Sequence, residues 1–162
     1  MKIKIKLKLK GINMYSNIEI DNAKTKILKY IMYQKRTEYE VRNKFSSVYE
    51  EDLLNHVIEY LTETKYLDDA DYIERFVYNI MNLKNLSIKE MRYKLMQKGI
   101  NKKLIEKYFD QNEDILQKYE VRAAQNIKIK KSRNMDLLKI KQTLYKKGYT
   151  SKSIEAIVKE EE

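Results

Sequence analysis

A repeat restricts this chain more than any other feature. With Thr37, Ser87 and Asp136 in register, Val41 falls over Met91 and Ile140, Arg42 over Arg92 and Lys141, and Phe45 over Leu95 and Leu144, at a period of 50 and then 49 residues. In the last two copies Lys98-Gly99-Ile100 also falls over Lys147-Gly148-Tyr149. A polar opening residue, two apolar positions and one basic position recurring together are hard to obtain from composition, and a period of this length marks a stacked structural unit.

Within each copy the apolar spacing is helical. Ile27, Leu28 and Ile31 stripe a first helix from Asn22. Thr37-x-x-Glu40 has the form of a capping box ahead of Val41 and Phe45, and Glu50-Glu51-Asp52 opens a helix carrying Leu53, Leu54, Val57, Ile58 and Leu61. The second copy repeats this with Ile73, Phe76, Val77 and Ile80, then Ser87-x-x-Glu90 before Met91 and Leu95, then Asn101 before Leu104, Ile105, Tyr108 and Phe109. The third runs through Val121, Ala124 and Ile127, then Ile140 and Leu144, then Thr150, Ile154, Ile157 and Val158. Gly99 and Gly148 fall where a left-handed residue would end the second helix of their copies. Ser46-Ser47-Val48-Tyr49 has no such glycine.

The first two copies meet at Tyr66-Leu67-Asp68-Asp69. Asp68 or Asp69 is expected to open the next helix, accepting from its unpaired N–H groups at the positive end of the dipole, while Tyr66 and Leu67 pin the joint to a core. Residues 2–10, KIKIKLKLK, alternate strictly and read as a strand, which 17–20 could join as a short hairpin. Two strands alone are marginal, so the alternatives are a loose arm or an anion-binding one. The expected organisation is an arm over 1–21 and three-helix repeats over 22–67, 68–112 and 113–162. Stacked neighbours of this kind form an all-α, elongated and curved array.

Composition excludes several function classes. Without cysteine there is neither a disulfide framework nor a thiolate metal site. The single histidine, His56, has no partner histidine or cysteine for a metal or nucleophile constellation. The acidic runs at Asp68-Asp69 and Glu50-Glu51-Asp52 are explained by helix opening, and no glycine-rich phosphate loop exists. No catalytic, cofactor or metal residues are therefore expected. No apolar run of about 18 residues is present and lysines interrupt the N-terminus, so a membrane span and a secretory signal are not expected, and the cytoplasm is.

At Lys65-Tyr66-Leu67-Asp68-Asp69 with Tyr72, Phe76 and Val77, and at Ser87-Ile88-Lys89-Glu90-Met91-Arg92-Tyr93-Lys94-Leu95 with Lys98-Gly99-Ile100, the chain resembles the RecX family of bacterial RecA regulators. Leu144-Tyr145-Lys146-Lys147-Gly148-Tyr149 is a weaker echo. The likeness covers roughly 22–157. It implies tandem three-helix repeats and a protein of recombination, DNA repair and the SOS response, which binds the RecA–DNA filament along its groove. There it would restrain ATP hydrolysis, filament growth and strand exchange.

Charge accords with a polyanionic or acidic partner: 34 Lys and Arg stand against 24 Asp and Glu, for a net charge of +10. The surplus lies in the arm and the later two copies. Lys89, Arg92, Lys94 and Lys98, the cluster Lys128, Lys130, Lys131 and Arg133, and Lys141, Lys146 and Lys147 are the candidate contacts to protein or DNA. Tyr93, Tyr145 and Tyr149 either stack on bases or, the favoured reading, pack against a core edge. A monomer is expected. The competing readings are a basic helical protein that binds single- or double-stranded DNA independently of RecA, and a scaffold whose lysines reflect an AT-rich genome.

Overall fold

The computed structural model describes residues 15–158. Nine helices are present among the described residues: α1 (Asn17–Tyr33), α2 (Glu38–Phe45), α3 (Glu51–Glu63), α4 (Asp69–Leu83), α5 (Ile88–Gln97), α6 (Lys102–Gln111), α7 (Glu113–Lys131), α8 (Leu137–Lys146) and α9 (Ser151–Ala156). No strand occurs among the same residues.

Side-chain caps set most of the helix starts. Ser16, Thr37 and Ser87 each accept from the N–H three residues on, and Glu19, Glu40 and Glu90 reach back to the cap N–H, closing three capping boxes. Asp68, Asn101, Asp136 and Thr150 cap α4, α6, α8 and α9. Each cap satisfies donors that the first helical turn leaves unpaired.

The extended reading of 17–20 is overturned, because these residues form the first turn of α1. Ser16-x-x-Glu19 is itself a capping box, and Ile20, Ala23, Ile27 and Ile31 are buried at helical spacing. One apolar alternation is too short to compete with that stripe. The helix thus starts at Asn17 rather than Asn22, and the strand expected over 2–10 lies outside the described residues.

Two helix ends share one geometry. Gly99 and Gly148 have φ of 72° and 80°. Gly99 N–H donates to Met96 O and Ile100 N–H to Leu95 O, at 2.9 and 3.4 Å; Gly148 N–H donates to Tyr145 O and Tyr149 N–H to Leu144 O, at 2.9 and 3.1 Å. This paired bonding is the Schellman ending, and it folds Ile100 and Tyr149 back into the core. By contrast α2 runs into Ser46 with right-handed backbone, φ −61°.

Packing follows the order of the helices. α1 and α2 pack on α3, α4 and α5 on α6, and α7 and α8 on α9, with α6 touching α7. The buried apolar side chains nevertheless form two cores rather than three. One holds α1 to α3 and is closed by Leu67; the other runs unbroken from Ile73 on α4 to Ile157 after α9. Tyr66 does not share the pinning role expected of it, being 47% exposed. Lys65 takes up a left-handed turn, φ 62°, which points Leu67 inward and its neighbour out.

Candidate partner-binding surface

The same hydrogen-bonded joint links successive helix triplets. Thr37, while capping α2, donates its hydroxyl to the carbonyl of Lys98 at the end of α5, at 2.7 Å. Ser87, capping α5, does the same to the carbonyl of Lys147 at the end of α8, at 2.6 Å. A carboxylate from the following triplet completes each joint. Asp69 on α4 accepts from Glu38 N–H at 3.0 Å, and Glu120 on α7 accepts from Ile88 N–H at 2.8 Å. The two glycines sit under the same joints: a Cβ on Gly99 would lie 2.1 Å from the Tyr39 ring, and one on Gly148 2.8 Å from the Lys89 stem. Close approach and positive φ therefore both require glycine there.

The joints differ in what surrounds them. In the first, Lys98 Nζ reaches Glu40 at 2.7 Å and Lys35 reaches Asp71 at 3.2 Å, all partly open to solvent. The Glu40 carboxylate holds the Lys98 ammonium above its usual pKa, against a smaller opposing effect of burial. In the second, Glu120 is fully buried and also accepts from Thr150 N–H and Oγ1 and from Ser153 Oγ, at 3.0, 2.7 and 2.8 Å. Tyr119 accepts from Leu86 N–H at 3.0 Å, and the Tyr149 hydroxyl donates to Asn85 O at 2.9 Å. Burial pushes both phenols up from their ordinary pKa.

The candidate basic residues separate into tethered and untethered sets. Arg92 is tethered, paired with Glu106 at 2.8 Å with its guanidinium 4.8 Å from the Phe109 ring centre. Lys98 belongs to the first joint, and Lys128 donates to Ile157 O at 2.7 Å, tying α7 to the end of α9. Lys89 is exposed and lies along Gly148, which sets it beside Lys147 at the second joint. Lys94, Lys130, Arg133, Lys146 and Lys147 are exposed with no ion pair among the described residues, whereas Lys131 lies 3.9 Å from Met135 Sδ. Lys141 and Lys146 line one groove, so the structure brings these two together. Of the motif residues, Asp68 accepts from Ala70 and Asp71 N–H at 2.9 and 3.2 Å as the α4 cap. His56 is exposed.

Two depressions stand out. A cleft of about 840 Å³ is walled by α4, α6 and the α1–α2 connection, with Tyr72, Phe76, Tyr78, Tyr108 and Ile115 beside Lys35, Asp71, Glu74 and Arg75. Its charges are mixed, and Asp71 is taken by Arg75 at 2.8 Å, which holds its carboxyl below the usual range. A groove of about 380 Å³ lies between α8 and α9, lined by Tyr145 and Ile154 together with Lys141, Lys146 and Glu155. The tyrosines thus divide: Tyr149 is buried, while Tyr93 and Tyr145 are 58% and 76% exposed, contrary to the expectation that all three pack.

Sequence reading missed Glu120 and the outward reach of Thr37 and Ser87. A capping hydroxyl announces only its acceptor role, since the donor bond goes to a residue 60 or 61 positions away. For Glu120 one signal was available, because a lone acid flanked by Tyr119, Val121, Ala123 and Ala124 stands on the apolar face of its helix.

No family model matches the chain. The regulatory protein RecX of Clostridium botulinum strain Eklund 17B is 33% identical over 140 residues, covering 82% of this chain and 65% of that protein. The chain thus spans about 65% of that relative's length. RecX of Clostridium acetobutylicum is 32% identical over 160 residues, covering 88% of this chain and 72% of that protein. The crystal structure of RecX from Lactobacillus salivarius superposes with a TM-score of 0.75 at 27% identity, over 90% of this chain and 97% of the other. A second RecX crystal structure, 24% identical with a TM-score of 0.76 over 87% of this chain and 73% of its own, shares the fold. These relatives match the chain over most of its length and share its helical fold, and the chain belongs to the RecX family of regulatory proteins.

Proposed function

We propose that this chain is a non-enzymatic regulator of the RecA recombinase, built of three tandem three-helix repeats that divide near residues 67 and 112. It lies along the groove of the RecA–DNA filament, bridges neighbouring subunits and holds back ATP hydrolysis, filament growth and strand exchange. The observation that carries the reading is the recurrence of one joint at Thr37–Lys98 and Ser87–Lys147, which sets successive triplets at a repeated spacing. A surface that repeats is suited to a partner that repeats, and several modest contacts on neighbouring subunits add through effective concentration. The untethered Lys130, Arg133 and Lys147 supply cations for acidic subunit faces or enclosed phosphates.

The test is the DNA-dependent ATPase of the cognate recombinase. Saturating amounts of this chain should lower it severalfold; an unchanged rate would remove the proposal. Binding at about 150 mM salt, where phosphate-only contacts weaken, should favour recombinase-coated over bare DNA. Equal affinity for the two would instead point to DNA binding without RecA.

A further inference from the structure

The first joint carries an ion pair that its counterpart lacks. Glu40 closes the α2 cap with Oε2, which accepts from Thr37 N–H at 3.1 Å, while its Oε1 accepts from Lys98 Nζ at 2.7 Å. Lys98 in turn receives the Thr37 hydroxyl on its backbone carbonyl at 2.7 Å. Thr37, Glu40 and Lys98 thus close a ring of bonds across the boundary between the first two triplets. Ser87, Glu90 and Lys147 repeat these residue types at the second joint. There Glu90 accepts from Ser87 N–H at 3.0 Å, but Lys147 is exposed with no ion pair among the described residues. The packing differs in the opposite sense, since α4 to α9 share one apolar core and the core of α1 to α3 ends at Leu67. Around the ring the first boundary is crossed by Asp69 on Glu38 N–H, by Lys35 on Asp71 and by the half-exposed Tyr39 ring over Gly99.

We infer that the Glu40–Lys98 pair is an ionic latch on a hinge. Closed, it fixes the angle of the first triplet; released, it leaves α1 to α3 to swing as a unit while α4 to α9 stay together. The chain passes from one core to the other once, between Leu67, buried with α1 to α3, and Asp68, which caps α4, and this is the pivot. A swing there separates polar bonds and leaves both apolar cores intact, the condition under which a sub-structure opens without unfolding. Lys35–Asp71 cannot stand in for the latch, because Lys35 is exposed and Asp71 is shared with Arg75. Both latch side chains reach water, so salt weakens it: at 1 M the screening length falls to about 3 Å, close to the pair's own separation. The cleft of about 840 Å³ has one wall on the α1–α2 connection and the other on α4 and α6, and its width follows the swing. The second and third triplets keep one spacing while the first adjusts. This device belongs to the chain alone and does not depend on the identity of its partner.

The chain contains no cysteine, so a pair of dyes can be attached at two introduced ones. Glu59→Cys with Lys107→Cys, exposed positions on α3 and α6, reports across the first joint by single-molecule energy transfer. Lys107→Cys with Lys152→Cys, on α6 and α9, reports within the larger body. Raising salt from about 50 mM to about 1 M should increase the open fraction of the 59/107 pair about threefold and leave the 107/152 distribution unchanged. Lys98→Met should give a similar increase at low salt and shrink the salt response, Lys98→Arg should behave as the parent chain, and Lys147→Met should move neither pair. The inference is overturned by a 59/107 distribution that ignores both salt and Lys98→Met, by equal broadening of the 107/152 pair, or by Lys98→Arg opening as far as Lys98→Met. The salt titration alters nothing at the joint, so it decides the matter even where Lys98→Met destabilises the chain. No recombinase is present, which keeps the outcome separate from the ATPase result.

Discussion

The two joints share one frame and differ in what fills it. Around Thr37 the triplets meet through bonds that water can reach, and the apolar core of α1 to α3 stops at Leu67. Around Ser87 the core continues across from α4 to α9, and Glu120 gathers donors from both α5 and α9. A hydroxyl–carbonyl bond and a glycine seat thus fix orientation, whereas apolar continuity decides how firmly the triplets hold. The first joint should be the easier of the two to open, because local opening follows the boundary with the fewest buried apolar contacts.

The largest test of this difference is to delete the two equivalent carboxylates. Glu120→Ala removes a fully buried carboxylate that accepts from four donors and should cost about 4 kcal/mol in urea unfolding, against about 1 kcal/mol for Asp69→Ala. Comparable losses would mean that the joints are equally buried in solution. Glycine replacement should invert the order. Gly99→Ala drives a methyl into the Tyr39 ring on left-handed backbone, for about 3 kcal/mol, whereas at Gly148 the Lys89 stem can move aside, leaving about 1–2 kcal/mol.

The smallest effect is in pH dependence. Burial, only partly offset by the Glu38 N–H bond, raises the Asp69 carboxyl above its usual value. The folded state therefore holds this proton more tightly than the unfolded chain, so the contribution is present below the unfolded pKa and is lost as pH rises through the folded one. Asp69→Asn keeps the acceptor and cannot ionise. The parent chain should lose stability relative to Asp69→Asn across that acidic window, by less than about 1 kcal/mol. A gap that widens as pH falls would contradict the burial.

Helix order and most caps were legible because they are local. Thr37, Ser87, Asn101 and Asp136 each act within three residues, and Val41, Met91 and Ile140 repeat at fixed offsets. The misreading of 17–20 came from weighing one apolar alternation while overlooking Ser16 as a cap. For the candidate surface, residue type did not separate Arg92, Lys98 and Lys128, which are tethered, from Lys94, Lys130 and Lys147, which are not. Whether a lysine meets an acid or a carbonyl from elsewhere in the chain depends on packing across 58 positions for Lys98 and 29 for Lys128, and no local pattern encodes it.

Asp136 stands at the register of Thr37 and Ser87 and caps α8 as they cap their helices, accepting from Lys139 N–H at 2.8 Å. An ionised carboxylate has no hydrogen to give onward, and Ser46-Ser47 at the opposite end lacks the glycine that follows the accepting carbonyl in the other two copies. The copies therefore have unequal valence: the middle one is divalent and each outer one monovalent for this bond. This bond therefore cannot extend the series beyond Asp136, and whatever packs against the far side of α8 does so by other chemistry.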